Sequence, residues 1–413
     1  MAKLRAFKAI RPRKDLAKKV AALPYDVFNS SEAREVAGDN SYSFLHVDKA
    51  EIDLPEDTYI YDKKVYEKAC ENLNKMIEDK IFIQDEKPML YIYTLIMDGK
   101  AQTGIVGTTS IDDYMNNIIK KHEFTREDKE KDRINHVDIC DANTGPIFLT
   151  YKNNKEIENI INEYILKEPL YDFVEEDNVS HKIWAIKEEE IINKIIDLFN
   201  EIESLYIADG HHRAASAVKV GKLRRKQNPN YSGVEEFNYF LSVLFPDAQL
   251  RILDYNRVVK DLNGLTAMEF LNKLDDKFEV ELKGEKSYKP EKNHSFGMYL
   301  DNKWYKITSK ENTYDDNDAV LSLDVSILQN NLLEPILGIK DPRTDERIDF
   351  IGGIRGLDEL KKRADSDMKL AFSMYPTTID ELMKIADNDK VMPPKSTWFE
   401  PKLRSGIFVH RLK

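Results

Sequence analysis

The sequence predicts an α+β fold, and three observations predict it. Strand-like and helix-like stretches alternate without the even βαβ rhythm of a doubly wound sheet. A hairpin stands out, in which MLYIYTLIM (89–97) runs into Asp98-Gly99 and AQTGIVGTTSI (101–111) returns. Asp-Gly between alternating apolar runs is among the strongest short hairpin signals. Further on, SLYIADGHHRAASAVKVGK reads as a buried strand, a sharp turn at Asp209-Gly210 and a small-residue helix ending near Gly221.

The remaining elements can be taken in chain order. A short apolar start, Leu4 to Ile10, precedes the turn-like Pro24-Tyr25-Asp26. Val65, Cys70, Leu73, Met76 and Ile77 stand near helical spacing. Residues 120–142 are densely charged and predict a helix from about Arg126 onward. PIFLTY (146–151) reads as a strand, and Ile157, Ile160, Ile161, Tyr164 and Ile165 share one helix face. Strands YDFV (171–174) and HKIWAI (181–186) flank a polar turn, and a helix over 187–203 comes next. FNYFLSVLF and LRILDYNRVV are two further strands. Past residue 262 come a lysine-rich loop, the hairpin FGMYLDNKWYKI, a helix around 323–337 and the closing motif VMPPKSTWFEPKLRSGIFVHRL. The texture of the chain changes after about residue 262.

Bulk properties narrow the function. A chain of 413 residues, 41% hydrophobic and 33% charged, carries enough apolar material for two or three folded domains. The formal charge of −12 argues against sheathing a nucleic-acid backbone, which calls for a basic surplus. Cys70 and Cys140 stand in no CxxC or Cys/His cluster, so neither a structural zinc nor a disulfide framework is expected. The basic start MAKLRAFKAIRPRKDLAKK lacks the apolar stretch of a signal peptide. No apolar run is long enough to cross a bilayer, and the expected address is the cytoplasm.

The sharpest chemical signal is Ile207 to Ala215, IADGHHRAA. A strand that turns through glycine into a helix presents amides without internal partners, and these together with the helix dipole attract anions. Gly210, His211, His212 and Arg213 supply donors and charge where a phosphate would sit, and Arg213 can bind it in bidentate fashion. Asp209, before the turn, is a candidate Mg²⁺ ligand or hydrogen-bond acceptor. A second constellation, His122-Glu123-Phe124-Thr125 with Asp132-Arg133 downstream, offers Glu123 as a general base if the chain brings it near the turn. The alternative for that stretch is a solvated charged helix. A third, Pro393-Pro394-Lys395-Ser396-Thr397, supplies a cation and two hydroxyls on a stiff backbone, suited to a phosphate or carboxylate. His181 is a weaker substrate-binding candidate. No P-loop, strand-linked GxGxxG, HExxH or GxSxG is present.

At these residues the chain resembles the DUF1015 family over nearly its whole length. The matching segments are FKAIRP, ALPYDV, KKHEFTREDKEKDR, GPIF, HKIWAI, YIADGHHRAASA, LDVSILQNNLLEPILGI and MPPKSTWFEPKLRSGI, in that order. Residues 110–262 are also similar to the ParB/sulfiredoxin superfamily, and more closely to its free serine kinases. That resemblance implies a central mixed-sheet catalytic domain at 110–262, flanked by further α+β regions at 1–109 and 263–413. It makes Glu123 the catalytic carboxylate beside His122, His212 and Arg213, with the Asp209–Arg213 turn on the nucleotide phosphate. His211 stands where sulfiredoxins carry a catalytic cysteine, which excludes their chemistry, and the helix-turn-helix of ParB proteins has no counterpart here.

The expected activity is phosphoryl transfer involving free serine or O-phosphoserine, with ATP or ADP and Mg²⁺. Arg133, His181, Lys395, Ser396 and Thr397 are the expected substrate contacts. Two rivals stand beside this activity, the first using the same residues. One is a phosphoserine phosphatase with water as acceptor, and the other is a nucleotide-binding, ParB-like regulator without turnover, which the acidic balance disfavours.

Overall fold

The computed structural model describes residues 1–413. The chain forms two units, Met1–Leu250 with Pro401–Lys413, and Arg251–Glu400. Both mix helices with sheet, and the fold is α+β.

A nine-stranded mixed sheet organises the first unit. In chain order its strands are β1 (Leu4–Arg5), β2 (Leu90–Met97), β3 (Lys100–Ser110), β4 (Ile119–Lys120), β5 (Ile147–Tyr151), β6 (Tyr171–Val174), β7 (Ser180–Ile186), β8 (Leu205–Asp209) and β9 (Tyr239–Pro246). Across the sheet they run β4-β8-β5-β9-β3-β2-β7-β6, with β1 paired to β3. The β2–β3 hairpin closes through Asp98 and Gly99 at φ 53° and 73°, the two positive values that a type I′ turn requires.

The five longest helices of this unit are α1 (Lys63–Glu78), α2 (Glu127–Cys140), α3 (Lys155–Tyr164), α4 (Glu189–Glu201) and α5 (His211–Gln227). Ile157 and Ile161 of α3 and Ile195 and Phe199 of α4 recur at helical spacing and bury against Ile92, Ile105, Leu149 and Ile207 of the sheet. A second apolar cluster joins Ala69 and Leu73 of α1 to Phe44, Phe82 and Val409. The tail is anchored further by an antiparallel pairing of His410–Arg411 with Ala142–Asn143.

Two boundaries expected from the sequence are displaced. The chain does not divide at 109/110, because Ile105–Ser110 of β3 pair with Tyr239–Leu244 of β9 in the same sheet. The later division falls after Leu250 instead of 262, and the last residues return to the first unit. Helix α5 also runs through Gly221 to Gln227. A Cβ at Gly221 would lie 2.5 Å from the Phe237 carbonyl oxygen and 2.6 Å from Ile111, so this glycine permits close packing and does not end the helix.

The second unit has a six-stranded antiparallel sheet of β10 (Tyr255–Val259), β11 (Phe278–Gly284), β12 (Ser295–Leu300), β13 (Lys303–Ser309), β14 (Ile348–Gly352) and β15 (Leu370–Ser373). Their order is β11-β13-β12-β15-β10-β14. Helix α6 (Gly356–Ser366) buries Leu360 against Val258, Tyr299 and Trp304. The helix expected over 323–337 is α-helical only at Asp324–Leu328 and widens to a π-turn at Gln329–Leu333. No helix in the chain is long and apolar enough to cross a membrane.

Candidate active site: a strand-to-helix corner

Strands β4 and β8 are parallel neighbours, with Leu205 opposite Ile119 and Tyr206 opposite Lys120. Two residues past the end of β4 stands His122, and one past the end of β8 stands Gly210. The parallel register therefore carries His122-Glu123 and Asp209-Gly210-His211 out of the same end of the sheet, side by side. Glu123 Oε2 lies 3.6 Å from His211 Nδ1, and the His122 and His211 rings meet edge-to-face at 4.5 Å. His211 is buried, whereas the Glu123 side chain is 45% exposed.

Gly210 makes the corner possible. It caps α5 at φ 92° and ψ 32°, and no side chain caps the helix. The first backbone bond inside α5 is Ala214 N–H to the Gly210 carbonyl at 2.9 Å. The amides of the opening turn lie ahead of that bond, as at the start of any helix, and remain available to an anion.

The charged groups are arranged around this turn. Arg213 donates to Asp209 Oδ2 at 3.1 Å and to the Pro146 carbonyl. Much of its fork is thereby engaged, so it brings charge to the corner and does not offer the free bidentate clamp expected from the sequence. Lys402 Nζ lies 3.8 Å from Asp209 Oδ1. Burial pushes the Asp209 carboxyl up, but Lys402 and Arg213 outweigh it and hold the carboxyl below its ordinary pKa.

Asp209 is therefore already balanced by two cations and serves to orient Arg213. As an Mg²⁺ ligand it stands alone, for no group of three or more His, Cys, Asp or Glu side chains is placed to hold a metal ion. These donors do not fit a protein-held Mg²⁺, which takes several oxygens in near-octahedral array.

The histidines do not bring the positive charge expected of them. Burial lowers His211 to about 4, against the pull of Asp209. Burial, with the neighbouring His211 second, takes His122 well below its usual value. His212 is also lowered, mainly by burial, and its Nε2 accepts the Arg126 amide at 3.0 Å. It thus holds the amino end of α2 against α5. Ser216 Oγ reinforces that contact by donating to the Glu130 carbonyl at 3.1 Å.

His181 belongs to β7, which four strands separate from β8 in the ladder. Its ring is fully buried, bonded through Nδ1 to the Tyr93 hydroxyl at 2.8 Å and stacked on Phe173. Those contacts hold the ring in place, and its buried Nε2 is left without a hydrogen-bond partner. Lys395, Ser396 and Thr397 stand in the second unit. There the Ser396 hydroxyl donates to the Pro393 carbonyl at 2.6 Å, and the Lys395 ammonium lies over the Tyr255 ring. Lys402, which belongs to the first unit, lies at the corner.

Arg133 lines a recess in the first unit with Tyr25, Asp48, His136, Thr144 and Arg213. Tyr25, Asp48, His136 and Thr144 are not marked as site residues by the sequence. Only Tyr25 carries a signal, as the middle residue of the Pro24-Tyr25-Asp26 turn.

No curated protein matches the chain. Among solved structures, a free serine kinase in complex with AMP is similar at 15% identity and TM-score 0.36, over 75% of this chain and 87% of the other. A mutant free serine kinase in complex with ADP gives 16% and 0.37 over the same shares. A conserved hypothetical protein from Pyrococcus furiosus gives 15% and 0.36, over 74% of this chain and 95% of its own. The model of a family described as a protein of unknown function, DUF1015, matches residues 4–326. The chain belongs to the DUF1015 family.

Proposed function

We propose that the protein is a phosphotransferase acting between free serine or O-phosphoserine and ATP or ADP. The observation that carries this reading is the delivery of Glu123 to the mouth of the α5 amino end, 3.6 Å from His211. A carboxylate open to solvent beside an anion-binding turn is what proton removal from a hydroxyl and phosphate capture jointly need.

The step balances simply. The serine hydroxyl oxygen forms a bond to the terminal phosphorus, the bond from that phosphorus to the bridging oxygen of the nucleotide breaks, and Glu123 takes the hydroxyl proton. The amides of the first α5 turn and the Arg213 charge stabilise the phosphate oxygens. Phosphoryl transfer asks for little beyond such positioning and charge. His211, neutral at pH 7, orients Glu123, while Asp209 and Lys402 fix Arg213. Mg²⁺ belongs to this reading as the nucleotide's own counter-ion, held by phosphate oxygens and water.

Hydrolysis of O-phosphoserine is the second reading, favoured by the exposure of Glu123, which leaves room for water as acceptor. Phosphorus NMR of the full chain with O-phosphoserine separates the two. ATP formed on adding ADP supports the phosphotransferase, and free phosphate released without nucleotide selects the phosphatase. The absence of both signals rules out both readings.

A further inference from the structure

Four charged side chains meet where β8 turns into α5: Asp209, Glu123, Arg213 and Lys402. Burial keeps His211 and His122 neutral at pH 7, so neither adds to the sum. Arg213 alone against two carboxylates would leave the corner net negative, and a phosphate would be repelled. Lys402 removes that deficit.

The chain delivers Lys402 from the returning segment Pro401–Lys413 of the first unit. Ser405 and Ala22 exchange backbone bonds at 2.8 Å and 3.1 Å. A Cβ at Gly145 would lie 3.2 Å from Ser405 Oγ and 3.5 Å from Arg213 Nη1. The segment is thus pinned beside Pro146, whose carbonyl holds Arg213. Pro401, Leu403 and Arg404 around Lys402 are buried, and the Arg404 guanidinium pairs with Asp177. Lys402 keeps 16% of its side chain exposed, with Nζ 3.8 Å from Asp209 Oδ1.

The two cations of the corner are held differently. Arg213 commits Nη2 to Asp209 and Nη1 to the Pro146 carbonyl. Lys402 meets Asp209 beyond hydrogen-bond length, and its ammonium carries three donors on a flexible stem. It can turn to a phosphate without breaking the bonds that fix Arg213. The opening turn itself bears the mark of a ligand. His211, the first residue of α5, is 5% exposed, and its buried Nε2 has no hydrogen-bond partner. Native proteins rarely leave such an atom unsatisfied.

We infer that Lys402 is a further phosphate-binding residue, its ammonium taking the phosphate received by the amides of the opening α5 turn. The part this phosphate plays in turnover rests on the phosphotransferase reading; its binding does not.

Calorimetry on the full chain tests the assignment with ADP and with adenosine, which lacks the phosphates. Lys402→Met keeps the length of the side chain and removes its charge. It is expected to weaken ADP by about tenfold or more and to leave adenosine unchanged. An unmoved ADP affinity in the folded variant, or an equal loss for both probes, overturns the assignment. ADP that fails to bind the native chain overturns it as well. If the variant does not fold, acylation of Lys402 in the native chain by acetic anhydride, read by mass spectrometry, decides. ADP should slow that reaction severalfold and adenosine should not, whereas a rate unmoved by ADP overturns the assignment. Selective loss of ADP in Lys402→Met, with no ATP made from O-phosphoserine by the native chain, upholds Lys402 and removes the reaction. ATP made by Lys402→Met at native turnover and native KM for ADP does the reverse.

Discussion

Glu123 and His211, far apart in sequence, stand 3.6 Å apart because β4 and β8 run parallel and in register. Neither residue is placed by its own segment alone. The two-residue strand Ile119–Lys120 has meaning only beside β8, and the turn at Gly210 only beside β4.

The buried state of His211 has a consequence for pH. Its folded pKa is about 4, below the ordinary 6.5, so the unfolded chain binds the extra proton first. Stability from this residue is fully present above about 6.5 and is lost as pH falls toward 4. Thermal unfolding followed from pH 7.5 to 4.5 should show a falling midpoint, and His211→Gln should make that fall shallower. The rate, in turn, should show no break near 6.5 that His211→Gln removes.

Gly210 should tolerate no side chain. An L-residue at φ 92° is strained, and a Cβ there would stand 3.1 Å from Arg213 Nε and Nη2. Gly210→Ala is expected to cost about 1–3 kcal/mol of stability and to weaken nucleotide binding by about tenfold. Chemical denaturation and a nucleotide titration measure the two effects separately.

The second unit should respond to pH in the opposite sense. Asp324 Oδ1 accepts the His294 amide at 2.7 Å. Burial, aided by Glu381 and opposed by that amide and by Arg257, pushes its carboxyl up to about 7. A raised folded pKa means the native state binds the proton more tightly, so stability falls as pH rises from about 4 through 7. Asp324→Asn keeps the acceptor and removes the titration. Hydrogen exchange of β12 amides at pH 5.5 and 7.5 should differ in the native sequence and differ less in the variant.

Local signals in the sequence are legible where the cause is local. Asp98-Gly99 is the hairpin turn because both residues accept positive φ. The helix expected from Arg126 begins at Glu127, and the strand, glycine turn and helix at 205–213 lie where their pattern places them. What the pattern does not carry depends on distant partners. Gly221 looks like a helix stop until Phe237 and Ile111 are seen against it. Lys402 looks like any other lysine of the closing motif until Asp209 is seen 3.8 Å from it.

The most direct test of the corner is a steady-state rate and a nucleotide affinity for Glu123→Gln, measured on the same preparation. Glutamine keeps the size of the side chain and removes its basicity. Turnover should fall by about 100- to 10,000-fold while nucleotide affinity stays the same. Unchanged turnover in a folded Glu123→Gln protein would contradict the account.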